Sequence, residues 1–165
     1  MSQSVLPMTF RLPGPQWRQV DPASVGVQGA AFFAARSVPA GEYTPTISVS
    51  GGPRQDAAPL SVVADEALTL FRAQAEDVEL VSRTDSGSEE VPGLTQLMGG
   101  EVTVDGRRYD LRQGQAMMRI ADVEDPSAVV IVIYTLTSTY AQFESVVPEF
   151  QQFVASARIG EAGEQ

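Results

Sequence analysis

The chain contains no histidine, no cysteine and no lysine, and all 11 of its basic residues are arginine. These absences remove whole classes of chemistry. A Cys or His nucleophile, a Ser-His triad, a lysine Schiff base and a Walker A lysine are impossible. Structural and hydrolytic zinc sites, which draw on Cys and His, fall with them. Without cysteine there is no disulfide to report the redox compartment, and no N-terminal Cys within the chain to carry a lipid anchor. Long apolar runs are also missing. Ala128–Tyr134 is strand-sized, and in Met1–Pro15 the residues Val5, Leu6 and Met8 are interrupted by Pro7, which is unlike a signal peptide. The expectation is a soluble, cytoplasmic protein with no membrane insertion.

Positive charge is scarce as well. Against 11 arginines stand 21 acids, a net charge of −10 and an isoelectric point near 4.3. Nucleic acid and anionic membrane both demand a basic face, so neither is an expected partner. Arg107, Arg108 and Arg112 cluster, but Asp105 and Asp110 interrupt them. Charges of that kind suit a solvated hairpin edge, where they discourage edge-to-edge pairing. The lack of lysine beside abundant Ala, Val, Gly and Arg reads as a compositional bias of the source genome.

What is present suffices for one globular domain. At 165 residues and 43% apolar, with 7 Phe, 4 Tyr and 1 Trp, the chain can bury a core without disulfide or metal. Neither an internal repeat nor an interdomain linker is visible. The domain is expected over residues 1–160, with 161–165 a frayed tail.

Strands are expected at Met8–Pro13 (Thr9–Leu12), Trp17–Val20, Ala30–Arg36 and Thr46–Ser50. Pro22 should end the second, and Gly51-Gly52-Pro53 the fourth. Leu60–Ala75 reads as a helix with Leu60, Val63, Ala67, Leu70 and Phe71 on one apolar stripe. Ser61 is its expected N-cap, and Asp65 and Glu66 would suit the helix dipole. Val78–Ser82 alternates as a strand, and Thr84–Gly93 is polar enough for a loop. A meander follows. Asp105-Gly106 is a hairpin signal between Glu101–Val104 and Arg107–Arg112, and Gln113-Gly114 should turn the chain into Gln115–Ala121. After an acidic loop at Asp122–Ser127, Ala128–Leu136 is apolar on both faces. Val129, Ile131 and Ile133 lie on one, and Val130, Val132, Tyr134 and Leu136 on the other, so the sheet must be covered on both sides. Thr139 and Gln142 form a capping-box pattern. Tyr140, Phe143, Val147, Phe150 and Val154 continue it at helical spacing, with Phe153 widening the stripe. Pro148 should break this region into a short helix, Tyr140–Val146, and a longer one ending at Gly160.

With His, Cys and Lys gone, only carboxylates, hydroxyls, Arg and hard metal ions remain for catalysis. Asp85-Ser86-Gly87 matches the short aspartic-protease signature, yet Arg83-Thr84 and Ser88-Glu89-Glu90 flank it with polar residues, the setting of a plain turn. The acids of Asp85–Glu90 and Asp122–Asp125 could face a calcium ion but lack EF-hand spacing. Solvated acidic loops are their bland reading. Gly51-Gly52-Pro53 and Gly99-Gly100 read as turn glycines, without the strand–glycine–helix context of a phosphate loop. Met117-Met118 should place one thioether in each layer as core filling. No catalytic, cofactor-binding or metal residue is assigned, and no cofactor is expected.

Two terminal stretches carry a resemblance. Phe10-Arg11-Leu12-Pro13 with Trp17 looks like the opening strand of the PsbP-like superfamily. Tyr140, Phe143, Val147-Pro148, Phe150, Phe153, Ser156 and Arg158 look like its closing helix. The element order between them is that of the same fold, and the chain is most similar to the LpqN-type lipoproteins and DcrB-like proteins of that superfamily. The resemblance implies an α+β fold, an antiparallel β-sheet (meander) sandwiched between helical layers, with no common catalysis. Members of the superfamily include an extrinsic photosystem subunit, a Ran-binding protein and chaperones that shield hydrophobic helices of secretion effectors. Unlike the LpqN type, this sequence shows no signal peptide and no lipidated Cys. The expected function is therefore a non-enzymatic protein-binding or assembly module, adaptor- or chaperone-like, whose partner is another protein. The alternatives are a carboxylate- or metal-dependent hydrolase and a carrier of a small apolar ligand.

Overall fold

A computed structural model describes residues 8–21, 30–54, 58–121 and 129–159. Seven antiparallel strands form one sheet in the order β2-β3-β4-β8-β7-β6-β5. They are β2 (Trp17–Gln19), β3 (Ala30–Arg36), β4 (Thr46–Arg54), β5 (Glu76–Gly87), β6 (Pro92–Val104), β7 (Arg107–Ala121) and β8 (Val129–Thr139). A separate two-stranded ladder joins β1 (Met8–Thr9) to β9 (Arg158–Ile159). Helix α1 (Leu60–Gln74) lies on one face, here the front, and α2 (Tyr140–Ser156) on the back. This is the α+β sandwich that the two-sided apolar pattern of β8 requires.

The central strand divides its side chains as expected. Val129 and Ile131 are buried under α1 with Leu60, Val63, Ala64, Leu94 and Met117. Val132, Tyr134 and Leu136 pack behind the sheet with Val146, Phe150 and Phe153 of α2. The adjacent methionines split likewise: Met117 enters the front core, and Met118 packs against the back one. Desolvation by burial pushes the Tyr134 phenol up to about 12. Because the folded value is raised, its stabilising contribution is complete below the ordinary tyrosine pKa of about 10 and fades as pH rises towards 12. Chemical unfolding at successive alkaline pH values should show native stability falling by roughly 2 kcal/mol over that window. Tyr134→Phe should lack that part of the decline.

Several local expectations are corrected. Gly51-Gly52-Pro53 does not end β4, which pairs with β8 as far as Arg54↔Val129. The pairing of β3 with β4 stops at Ala30↔Ser50, so Pro53 lies where β4 has β8 as its only partner among the described residues. A strand edge tolerates the missing N–H. Gly51 has φ +121°, and a Cβ there would sit 2.0 Å from the Ile131 carbonyl oxygen. Gln113-Gly114 does not turn: β7 is continuous and paired on both sides. Gly114 instead lets the Phe143 ring approach, with a would-be Cβ 3.4 Å from its Cζ. Gly99-Gly100 lies inside β6. Much of the expected loop Thr84–Gly93 is strand, with a tight turn closed by Ser88 N–H to Val91 O at 3.0 Å. The edge position of β5 leaves all of it exposed except Val78 and Arg83, so most of its polar residues need no core. At the N-terminus only Met8–Thr9 pairs as a strand.

Both helices differ in detail. The residue preceding α1 is Pro59, with no side-chain cap, rather than Ser61. Asp65 and Glu66 lie beyond the first turn and form ion pairs, Arg83–Asp65 and Arg54–Glu66, each at 2.8 Å. The buried stripe contains Ala64 and Leu68, while Leu70 is 64% exposed. The capping box of α2 is formed: Gln142 N–H donates to Thr139 Oγ1 at 3.1 Å, and Thr139 N–H to Gln142 Oε1 at 3.0 Å. Yet α2 runs unbroken through Pro148. Pro148 and Glu144, whose carbonyl it deprives of a donor, are both on the exposed side. Solvent can satisfy that carbonyl, while Val146, Phe150 and Phe153 anchor the helix on either side of the proline. Asp105 (φ 51°) and Gly106 (φ 80°) make the expected hairpin turn. The expected helix end at Gly160 and the tail 161–165 lie outside the described residues.

Candidate functional site

The two helices are offset. On the front, α1 packs over β5, β6, β7 and the Val129–Ile131 end of β8. Among the described residues it leaves β3, β4 and the Ile133–Thr137 part of β8 uncovered beside it. The result is a front cleft of about 910 Å³. Register determines its floor. Thr46 pairs with Thr137 and Thr137 with Gln113; Ser48 pairs with Thr135 and Thr135 with Gln115. Alternation along each strand brings these six side chains, with Ser50, onto one face. Ile131, Ile133 and Phe33 add apolar floor, and α1 supplies a wall of Val63, Ala67, Leu70 and Phe71. The exposed Leu70 thus stands at the cleft's rim.

Among the described residues no uncompensated charge lines this cleft, although the chain carries −10. Its two charged lining residues are Arg54 and Glu66, which pair through two hydrogen bonds of 2.8 and 3.1 Å. The floor is partly ordered from within. Gln113 Nε2 donates to Thr137 Oγ1 at 3.1 Å, and Gln115 Nε2 to Thr135 Oγ1 at 3.2 Å. Behind Gln115 lies buried Gln96, whose Nε2 donates to Gln115 Oε1 at 2.8 Å and to the Ala64 carbonyl of α1 at 3.2 Å. Arg83 completes the chain, with Nε donating to Gln96 Oε1 at 3.0 Å and Nη1 to Asp65 at 2.8 Å.

A second, back cleft of about 480 Å³ lies where α2, packed over β8 and against Gly114 of β7, leaves β5 and β6 uncovered among the described residues. It is more apolar: Leu97 and Ala116 form its floor, and Phe143, Val147, Phe150 and Val154 its wall. Here the outer side of the α2 apolar stripe meets solvent. Exposed Tyr140, at the start of that stripe, carries the Arg112 guanidinium 4.6 Å above its ring.

The carboxylates form no comparable site. Asp85, Glu89 and Glu90 are exposed on β5 and the turn after it, and Asp122–Asp125 lies outside the described residues. Among the described residues no three His, Cys, Asp or Glu side chains come together as a metal site. Arg108 joins Glu76, Asp77 and Glu101, and Arg112 joins Asp110, as surface ion pairs. Glu149 on α2 gathers Gln16, Trp17 and Arg36. Its carboxyl is held below the ordinary range, chiefly by the Arg36 hydrogen bond against opposing desolvation. That direction is wrong for a general acid at neutral pH.

Sequence reasoning assigned no site residue. The hydroxyl faces were visible as Thr46-Ser48-Ser50 and Thr135-Thr137, but only register shows that they adjoin each other and the β7 glutamines. No helix among the described residues is long and apolar enough to cross a membrane.

No protein-family model matches the sequence, and no curated protein does. Solved structures match the fold. LpqN of Mycobacterium tuberculosis, described as involved in cell envelope biogenesis, is 13% identical. The alignment covers 94% of this chain and 86% of LpqN, with a TM-score of 0.62. PsbP (CyanoP) of Synechocystis sp. PCC 6803 is 12% identical over 96% and 95% of the two chains, with a TM-score of 0.55. PA94 of Pseudomonas aeruginosa, a protein of unknown function with a suggested regulatory role, is 19% identical over 78% and 81%, with a TM-score of 0.55. The chain therefore has the PsbP-like fold.

Proposed function

We propose that this protein is a non-enzymatic binding module whose front cleft shelters an apolar helix of a partner protein. The observation that carries the reading is the unpaired half-face of the sheet beside α1. Three strands at roughly 4.8 Å spacing leave a width close to the ~10 Å diameter of a helix. Its lining mixes Phe33, Ile133 and Leu70 with uncharged hydroxyls and amides. Such a surface suits a helix poor in charge, whose packing relies on close contact and on hydrogen bonds from small polar side chains. Among the described residues, its charged side chains Arg54 and Glu66 are already engaged with each other, which disfavours a charged substrate. The fold neighbours, described by envelope biogenesis, PsbP identity or suggested regulation, are compatible with a binding role.

The test uses a labelled Leu/Ala helix of about 20 residues with paired lysines at both ends, followed by fluorescence anisotropy. Ser48→Glu in the front cleft should weaken binding about tenfold or more, a loss of about 1.4 kcal/mol or greater. Leu97→Glu in the back cleft adds the same charge and should leave affinity within about threefold. The reverse ranking would transfer the function to the back cleft, and no binding by the unmodified protein would remove the helix-sheltering reading.

A further inference from the structure

We infer that Arg83 and Gln96, neither of which reaches the front-cleft surface, fix its hydrogen-bonding polarity, so that Thr135 presents a donor and selects partners carrying an acceptor. The inference rests on the proposed helix-sheltering role and specifies the partner chemistry of the same cleft.

An amide side chain can ordinarily turn end for end, exchanging its donor for its acceptor. Here both termini of the chain forbid that. A guanidinium can only donate, and Arg83 Nε faces Gln96 Oε1 at 3.0 Å. A carbonyl can only accept, and Ala64 O faces Gln96 Nε2 at 3.2 Å. Turning Gln96 would set donor against donor and acceptor against acceptor in a site where that side chain is only 4% exposed. With Gln96 fixed, its Nε2 requires Gln115 Oε1 at 2.8 Å, and Gln115 Nε2 is left to donate to Thr135 Oγ1 at 3.2 Å. Gln115 is itself 8% exposed, so bulk water does not compete freely for its amide. The Thr135 oxygen has thus accepted, and among the described residues its own O–H has no acceptor. Half-buried on the cleft floor, that O–H is left to donate to whatever occupies the cleft. Asp65 secures the far end by holding Arg83 Nη1 at 2.8 Å.

The experiment compares two versions of the lysine-flanked Leu/Ala helix. One central residue is O-methylserine, whose ether oxygen accepts but cannot donate, or norvaline, which has the same shape and neither property. Four successive central positions are substituted in turn, so that every side of the helix is presented. For the unmodified protein, the ether version should bind about tenfold tighter at one position or more. Thr135→Val, which keeps the shape and loses the proton, should bind both versions alike. Gln115→Glu should do the same, because a carboxylate cannot donate to Thr135 and instead draws its proton inward. If Gln115→Glu fails to fold, Thr135→Val decides alone. Tight binding of both versions without preference at any position would overturn the polarity assignment while leaving the sheltering role intact. Failure of every peptide to bind would overturn both. A preference that persists in Thr135→Val would assign the donor to another residue and overturn this inference.

Discussion

Replacing Glu149 with alanine should lower stability by about 2–4 kcal/mol, because it leaves several donors without their shared acceptor. The Glu149 carboxylate receives Arg36 Nε and Nη2 at 2.8 and 3.1 Å, the Trp17 indole N–H at 2.9 Å and the Gln16 amide at 3.0 Å. These groups belong to α2, to β2 and the turn before it, and to the end of β3. One side chain therefore joins the back helix to the outer strands of the sheet. Trp17 is only 3% exposed, so its N–H cannot readily exchange Glu149 for solvent. Arg36 retains partial exposure, which keeps the expected loss below that of a fully buried pair.

The isosteric Glu149→Gln separates charge from shape. Its amide can accept only through one oxygen, and its NH2 group meets donors. The carboxyl is held below its ordinary pKa, first by Arg36 and then, against desolvation, by Trp17. Its contribution is therefore complete above the unfolded value of about 4.3 and is lost as pH falls through the folded value. Urea unfolding of both proteins at pH 7, 5, 4 and 3 should show a stability gap that is constant at first and closes below about pH 4. A gap unchanged down to pH 3 would mean that packing, not the carboxylate, accounts for the difference.

Glu149 also shows where the sequence becomes mute. Its partners lie 113 to 133 residues away, so no local pattern announces them. The two-faced apolar alternation of Val129–Leu136, by contrast, dictated helical cover on both sides, and the Thr139–Gln142 box marked the start of α2 correctly. Errors arose where tertiary context overrules a local signal. Gly51-Gly52-Pro53 and Gln113-Gly114 have the composition of turns, but strand pairing on a neighbour and close approach of Phe143 retain them in strands. Pro148 has the composition of a break, but the core holds both halves of α2 in line. The front cleft fails for another reason. Its hydroxyls and amides lie on three strands brought together by register, and neither their adjacency nor the chain from half-buried Arg83 to buried Gln96 and Gln115 has a signature in the order of residues.

Phe153→Ala should be the costliest truncation in the back core, at about 3–5 kcal/mol. The ring is fully buried. It stacks on Phe10 with centroids 5.0 Å apart and meets Phe32 at 5.2 Å, while Phe10 also lies edge-on to Tyr134 at 6.3 Å. Removing Phe153 therefore takes away the ring through which α2 meets both β3 and the N-terminal segment, which keep their own Phe10–Phe32 contact at 5.2 Å. Phe10→Ala should cost less, about 1–3 kcal/mol, because Phe10 is half-buried and solvent can enter the vacated space. The two losses should not add. Both changes break the same stacked pair, so the double variant should be less destabilised than the sum by about 0.5–1.5 kcal/mol. Chemical denaturation of the four proteins in this cycle measures that coupling. Additive losses would show that the N-terminal segment packs independently of α2. Coupled losses would make the segment part of the lock that holds α2 to the back of the sheet. Because α1 and the front cleft lie across the sheet from this cluster, Phe10→Ala should leave helix binding there unchanged so long as the protein remains folded.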